Sequence, residues 1–209
     1  MAEVSAALVK QLREKTGAGM MDCKKALDDA KGDLAEAEVI LRKKGIAAAA
    51  KRQSRAARAG VIQSYIHAGN QIGVMLELNC ETDFVARTED FLALAKDLAM
   101  QVAAADPKYL RRDDVPADVL AKEREIAADR AKNEGKPEKV IEKIVDGRVA
   151  KFYEEVCLLD QPFIKENTTS VEQLIKGMIS KMQENISIAR FARFKVGETA
   201  AAAAEEAAG

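Results

Sequence analysis

The order of patterns along this chain predicts an α+β fold, and three observations carry that expectation. Residues 1–45 place apolar side chains at helical spacing, broken by glycines. Residues 61–80 alternate apolar and polar side chains around a Gly-Asn turn, the signature of a β-hairpin. Two long charged helical patterns flank Asn133-Glu134-Gly135-Lys136-Pro137, where Gly follows one helix and Pro opens the next. The composition fits a helix-rich soluble protein: 209 residues, 48% hydrophobic and 32% charged, with a net charge of -1. That charge points neither to nucleic acid nor to a membrane surface. No apolar run reaches the length of a membrane span, and Met1 to Ser5 lacks the basic and apolar regions of a signal peptide.

The first helix carries Val4, Leu8 and Leu12 and breaks at Thr16-Gly17-Ala18-Gly19. The second carries Met20, Cys23, Ala26, Leu27 and Ala30 and ends at Lys31-Gly32. The third opens on Asp33 with Glu36 three residues on, a capping-box spacing, and runs through Ala37, Ile40 and Leu41 to Gly45, read as its stop. Residues 1–45 thus form a small bundle with a marginal core. Residues 46–60 read as a basic linker. Positions 39–76 hold no Asp or Glu but do hold Arg42, Lys43, Lys44, Lys51, Arg52, Arg55 and Arg58. A solvated connector and a surface that docks on acidic or phosphate-bearing partners are both open readings.

Residues 61–198 read as an α/β core. Val61 to Ile66 is one strand and Ile72 to Cys80 the next, with Val74, Leu76, Leu78 and Cys80 on one face. His67, the only histidine, ends the first strand as a polar edge residue. Asn79-Cys80-Glu81-Thr82-Asp83-Phe84-Val85 follows. It sets an aromatic residue among polar ones at a helix start, in a chain with 4% aromatics and no Trp. Either Thr82 or Asp83 caps a helix and Phe84 packs inward, or Phe84 is held outward to enter a partner. A helix from Glu89 to Ala104 turns Phe91, Leu94, Ala95, Leu98 and Val102 inward. Residues 117–157 form the projecting antiparallel helical hairpin. Gln161-Pro162-Phe163 is a loop, and a helix with Val171, Leu174, Ile175, Met178, Ile179 and Met182 begins after it. A last strand from Ile186 to Val196 aligns Ile186, Ile188, Phe194 and Val196 on one face and closes a small antiparallel sheet. Residues 199–209, almost pure Ala and Glu, read as a disordered tail.

Covalent chemistry finds no support. Gly17-Ala18-Gly19 lacks the third glycine of a dinucleotide loop, since position 22 is Asp, and Gly135-Lys136 is followed by Pro. Cys23, Cys80 and Cys157 are scattered, which suits free thiols in a cytoplasm better than disulfides or a zinc site. No catalytic residue, metal ligand or cofactor is expected. A binding or regulatory protein is the remaining class.

Two stretches carry a resemblance. Thr16-Gly17-Ala18-Gly19-Met20-Met21-Asp22-Cys23-Lys24-Lys25-Ala26-Leu27 resembles the N-terminal signature of the elongation factor Ts family, and Glu77-Leu78-Asn79-Cys80-Glu81-Thr82-Asp83-Phe84-Val85 resembles its core signature. The likeness runs through Gly135-Lys136-Pro137, Glu142 to Arg148 and Gln161-Pro162-Phe163. It implies a ubiquitin-associated-type bundle followed by a core with a coiled-coil hairpin, in a short form lacking the second core subdomain and C-terminal module. It implies a guanine-nucleotide exchange factor, without covalent chemistry, for elongation factor Tu in its GDP-bound and nucleotide-free forms. Thr82, Asp83, Phe84 and Val85 would displace the partner's Mg2+. In our own reading of that mechanism, Asp83 is expected to fix the loop by hydrogen bonding. Met20, Met21 and Lys24 would dock on the GTPase domain. Gln101 stands where many members carry a His directed at the partner's phosphate loop. A homodimer is implied, with no direct contact to nucleic acid or membrane. The alternative from another class is an RNA- or ribosome-binding protein using the basic linker.

Overall fold

The computed structural model describes residues 4–198, so the expected tail at 199–209 lies outside the described residues. The fold is mixed α and β, with a small antiparallel sheet and packed helices. Strands β1 (Ala59–Ile66), β2 (Ile72–Cys80) and β5 (Ile186–Lys195) form a sheet in the order β1-β2-β5, and β3 (Pro162–Phe163) pairs with β4 (Glu166–Ser170) in a separate ribbon. The chain divides into two compact units. The first comprises the chain up to Val61, Leu78–Phe91 and Gln173–Ser187; the second comprises Ile62–Glu77, Leu92–Glu172 and the chain from Ile188. The stretch expected as one core at 61–198 is therefore shared between the units.

In the first unit, α1 (Ala6–Thr16), α2 (Met20–Asp29) and α3 (Leu34–Arg52) pack around Leu12, Cys23, Ala26, Leu27, Ala37 and Leu41. Ser5 caps α1 by accepting from the Leu8 N–H, and Gly17 ends it in the left-handed region at φ 66°. Asp33 caps α3 through the Glu36 N–H at 3.0 Å, as its spacing predicts.

Gly45 does not stop α3, which runs on to Arg52 and absorbs much of the expected linker. The alanines after Gly45 are the strongest helix formers and carry the helix through it. Gly45 serves packing instead. A Cβ there would come 2.8 Å from the Ser180 hydroxyl oxygen of α8 (Val171–Met182).

In the second unit, α6 (Ala117–Asn133) and α7 (Glu138–Val156) form the expected helical hairpin. Ala127, Val145 and Val149 make its seam, with Leu120, Ile141 and Tyr153 packed alongside. Gly135, at φ 70°, makes the turn. In α5 (Glu89–Ala105), Leu94, Ala95, Leu98 and Val102 are buried, in line with the helical period.

The last strand departs from expectation. Ile186 and Ile188 are buried, but Phe194 and Val196 are exposed. Two successive exposed residues, Ala189 and Arg190, shift the alternation by one place, so equal parity does not mean one environment along the whole strand. The expected loop at Gln161-Pro162-Phe163 contributes β3 of the short ribbon.

Candidate functional site

The segment after β2 folds into a single helical turn, α4 (Asp83–Ala86). Thr82 is its cap: its hydroxyl accepts from the Val85 N–H at 3.4 Å. Ala86 is buried, whereas Phe84 points outward with 80% of its surface exposed. Both halves of the sequence reading are thus partly realised, because the cap is present and the aromatic is not inside. Leaving an apolar ring of this size in water forgoes about 1.5–3 kcal/mol of burial.

Glu184, in the turn between α8 and β5, holds the entry to α4. One carboxylate oxygen accepts from the backbone N–H groups of Glu81 and Thr82 at 3.1 and 3.0 Å, and the other accepts from the Thr82 hydroxyl at 2.6 Å. Glu81 accepts in turn from the Asn185 N–H at 2.7 Å and pairs with Arg55 at 3.4 Å. Asn185 donates through its amide to the Arg55 carbonyl at 2.7 Å. At the start of the turn, the Cys80 thiol donates to the Thr82 carbonyl at 3.1 Å. Burial first, then the Glu184 charge, pushes that thiol's pKa up, so Cys80 is a packed neutral group rather than a nucleophile.

Asp83 does not tie the turn down as expected. It pairs with Arg87, one turn on, at 2.9 Å, and both groups are well exposed. An ion pair inside the same short stretch cannot fix that stretch to the rest of the protein.

The same unit carries Met20 and Met21 at the start of α2, with Met21 76% exposed, and Lys24 exposed beside them. Cys23, Ala26 and Leu27 take the core face of α2, which leaves the methionines outside. Gln101 behaves differently. It is fully buried in the second unit, donating to Gln161 at 3.1 Å and the Pro162 carbonyl at 3.2 Å, and accepting from the Ile164 N–H at 2.8 Å. Its polar atoms are spent on β3 and its neighbours, so it presents nothing to a partner.

Comparison with known proteins gives the family. The family model described as Elongation factor TS matches residues 9–198. The chain belongs to the elongation factor Ts family. The elongation factor Ts of Solibacter usitatus is 63% identical over 198 residues, covering 95% of this chain and 93% of that relative. Those of Anaeromyxobacter sp. strain Fw109-5 and Desulforamulus reducens are 61% and 58% identical, each covering 95% of this chain and 90% and 91% of their own lengths. Membership of the elongation factor Ts family makes this a translation elongation factor.

Sequence reasoning missed Glu184 and Asn185, and read Arg55 only as one of the basic residues of the linker. Gln183-Glu184-Asn185 reads only as a polar break between an apolar helix and a strand; nothing local tells that its carboxylate reaches residues 102 and 103 positions away. The burial of Gln101 did leave a signal, since it lies on the stripe of Leu94 and Leu98.

Proposed function

We propose that this chain is a guanine-nucleotide exchange factor for elongation factor Tu, acting in the cytoplasm and without covalent chemistry. The observation that carries the reading is Phe84, an exposed aromatic on a turn held by part-buried polar ties. Exchange requires that the factor bind the nucleotide-free partner more tightly than the nucleotide-bound one, so that factor and nucleotide weaken each other. Phe84 enters an apolar pocket near the partner's switch region, flanked by Thr82, Asp83 and Val85. The partner's Mg2+ loses its ligation there, and the nucleotide phosphates lose their main counter-charge.

The magnitudes divide the work. A release acceleration of about ten-thousandfold takes roughly 5.5 kcal/mol, and burying one Phe supplies about 1.5–3 kcal/mol. Met20, Met21 and Lys24 supply part of the remainder by docking on the GTPase domain.

Dimerisation belongs to the same reading. Ile62, Ile66, Met75, Phe194 and Val196 are exposed strand-region residues of the second unit, an apolar set suited to a second copy of the chain. Light scattering on wild type and on Phe194→Glu tests this: a dimer that the substitution splits supports it, and a wild-type monomer at high concentration ends it.

The main test follows release of labelled GDP from elongation factor Tu. Wild type accelerates release, and Phe84→Ala, with an unchanged circular dichroism spectrum, is much slower. Full-speed release by Phe84→Ala overturns the wedge. The rival RNA reading is weakened by the pairing of Arg55 with Glu81. Binding to RNA that falls steeply with salt, without any effect on GDP release, would favour it.

A further inference from the structure

We infer that Glu184 is a positioning residue for exchange: its carboxylate sets Phe84 in the presented conformation, from a turn that also anchors the end of α3. The inference rests on the proposed role of Phe84 and adds the residue that makes that role possible.

A helix of one turn does not hold itself, because the nucleus of a helix is unfavourable until further turns form. Within α4, Phe84 and Asp83 are exposed and only Ala86 is buried. Packing therefore gives the turn little hold. The three bonds to Glu184 all act on Glu81 and Thr82, the two residues that lead into the turn. Bonds to an ionised acceptor are roughly twice as strong as neutral ones. The entry direction of α4, and with it the aim of Phe84, is set by that carboxylate.

The residues on either side extend the hold to α3. Gln183, at φ 61°, bonds the Arg52 guanidinium at the end of α3. Asn185 holds the Arg55 carbonyl and, through its N–H, the Glu81 carboxylate. Three consecutive residues thus tie the Phe84 turn on one side and the exit of the helical bundle on the other, all within the first unit. That bundle carries Met20, Met21 and Lys24. A shared seat means that two contact regions meet a partner already ordered, so little of the binding free energy is lost to ordering them.

The test compares Glu184→Ala and Glu184→Gln with wild type and with Phe84→Ala, measuring GDP release from elongation factor Tu across a range of factor concentrations. In parallel, Phe84→Trp places a single tryptophan in a chain that has none. The fluorescence anisotropy of that indole reports the motion of the turn with and without the Glu184 substitutions. Glu184→Ala is expected to lower the maximal release rate about tenfold, with Glu184→Gln intermediate. The half-saturating concentration rises, because the turn is then ordered only on binding, the circular dichroism spectrum stays that of wild type, and the indole anisotropy falls. A maximal rate at the wild-type level in both Glu184 variants, while Phe84→Ala is slow, overturns the inference. So does an unchanged indole anisotropy. If the Ala variant unfolds, the Gln variant, of the same shape, decides by the same two readings. Full-speed release by Phe84→Ala instead removes the role of Phe84 itself; the indole anisotropy then decides whether Glu184 fixes the turn.

Discussion

Phe84 and Gln101 invert the ordinary sorting of side chains, one in each unit. The apolar ring of Phe84 is 80% exposed, and the amide of Gln101 is 0% exposed. The buried amide is satisfied: it donates twice, accepts once, and sits where a carbonyl, an N–H and a second amide converge. The exposed ring is satisfied by nothing in the described chain. A buried polar group with a full set of bonds works for the fold. An exposed aromatic on a tethered turn is available to something outside it.

The largest expected effect lies at Gln101. Gln101→Leu leaves the Ile164 N–H and the Pro162 carbonyl without this partner in the interior, and should lower unfolding stability by about 3 kcal/mol, read by urea denaturation. The fraction that stays folded should release GDP from elongation factor Tu at the wild-type rate. Phe84→Ala should do the reverse. It loses the transition-state burial of one ring, about 1.5–3 kcal/mol, and so slows GDP release by about tenfold or more, while its denaturation midpoint stays at that of wild type.

Cys157 offers a third, milder case, a buried polar group that titrates. Burial, helped by the Asp160 carboxylate, pushes its thiol from 9.0 up to about 11. The folded state therefore holds this proton more tightly than the unfolded chain does. The stability this contributes is complete below pH 9.0 and is lost as pH rises through about 11. Unfolding free energy measured from about pH 8 upward should show that decline, and Cys157→Ala should flatten part of it. The smallest effect belongs to the Asp83–Arg87 pair. An exposed i,i+4 pair is worth about 0.3–0.5 kcal/mol, so Arg87→Ala should leave stopped-flow GDP release nearly unchanged. A large loss there would shift the hold on the turn from Glu184 to Asp83.

Much of this was legible in residues one to four positions apart. The caps at Asp33 and Thr82, the break at Gly135 and the apolar stripe of α5 are all local rules, and local rules read well from a sequence. Gly45 misled because a helix C-terminus and a close helix contact ask for the same residue. The alanines that follow it, and Ser180 far along the chain, decide between them. The last strand misled because parity holds only while alternation is unbroken, and Ala189-Arg190 breaks it. In the site, the exposed residues could be named from sequence. The carboxylate that aims them could not, since a hydrogen bond across 102 residues leaves no periodicity.

That separation of 102 residues between Thr82 and Glu184 has a consequence in time. A chain is made from its N-terminus at about 5–20 residues per second. The segment bearing Phe84 is therefore synthesised about 5–20 seconds before the carboxylate that seats it. Through that interval the bundle can assemble from contacts already made, but the turn has only its local ties, the Cys80 thiol on the Thr82 carbonyl and the Thr82 cap on the Val85 N–H. A truncated or stalled chain would carry the signature residues in full and still present them without a fixed aim, so competence arrives only once the turn between α8 and β5 has been made.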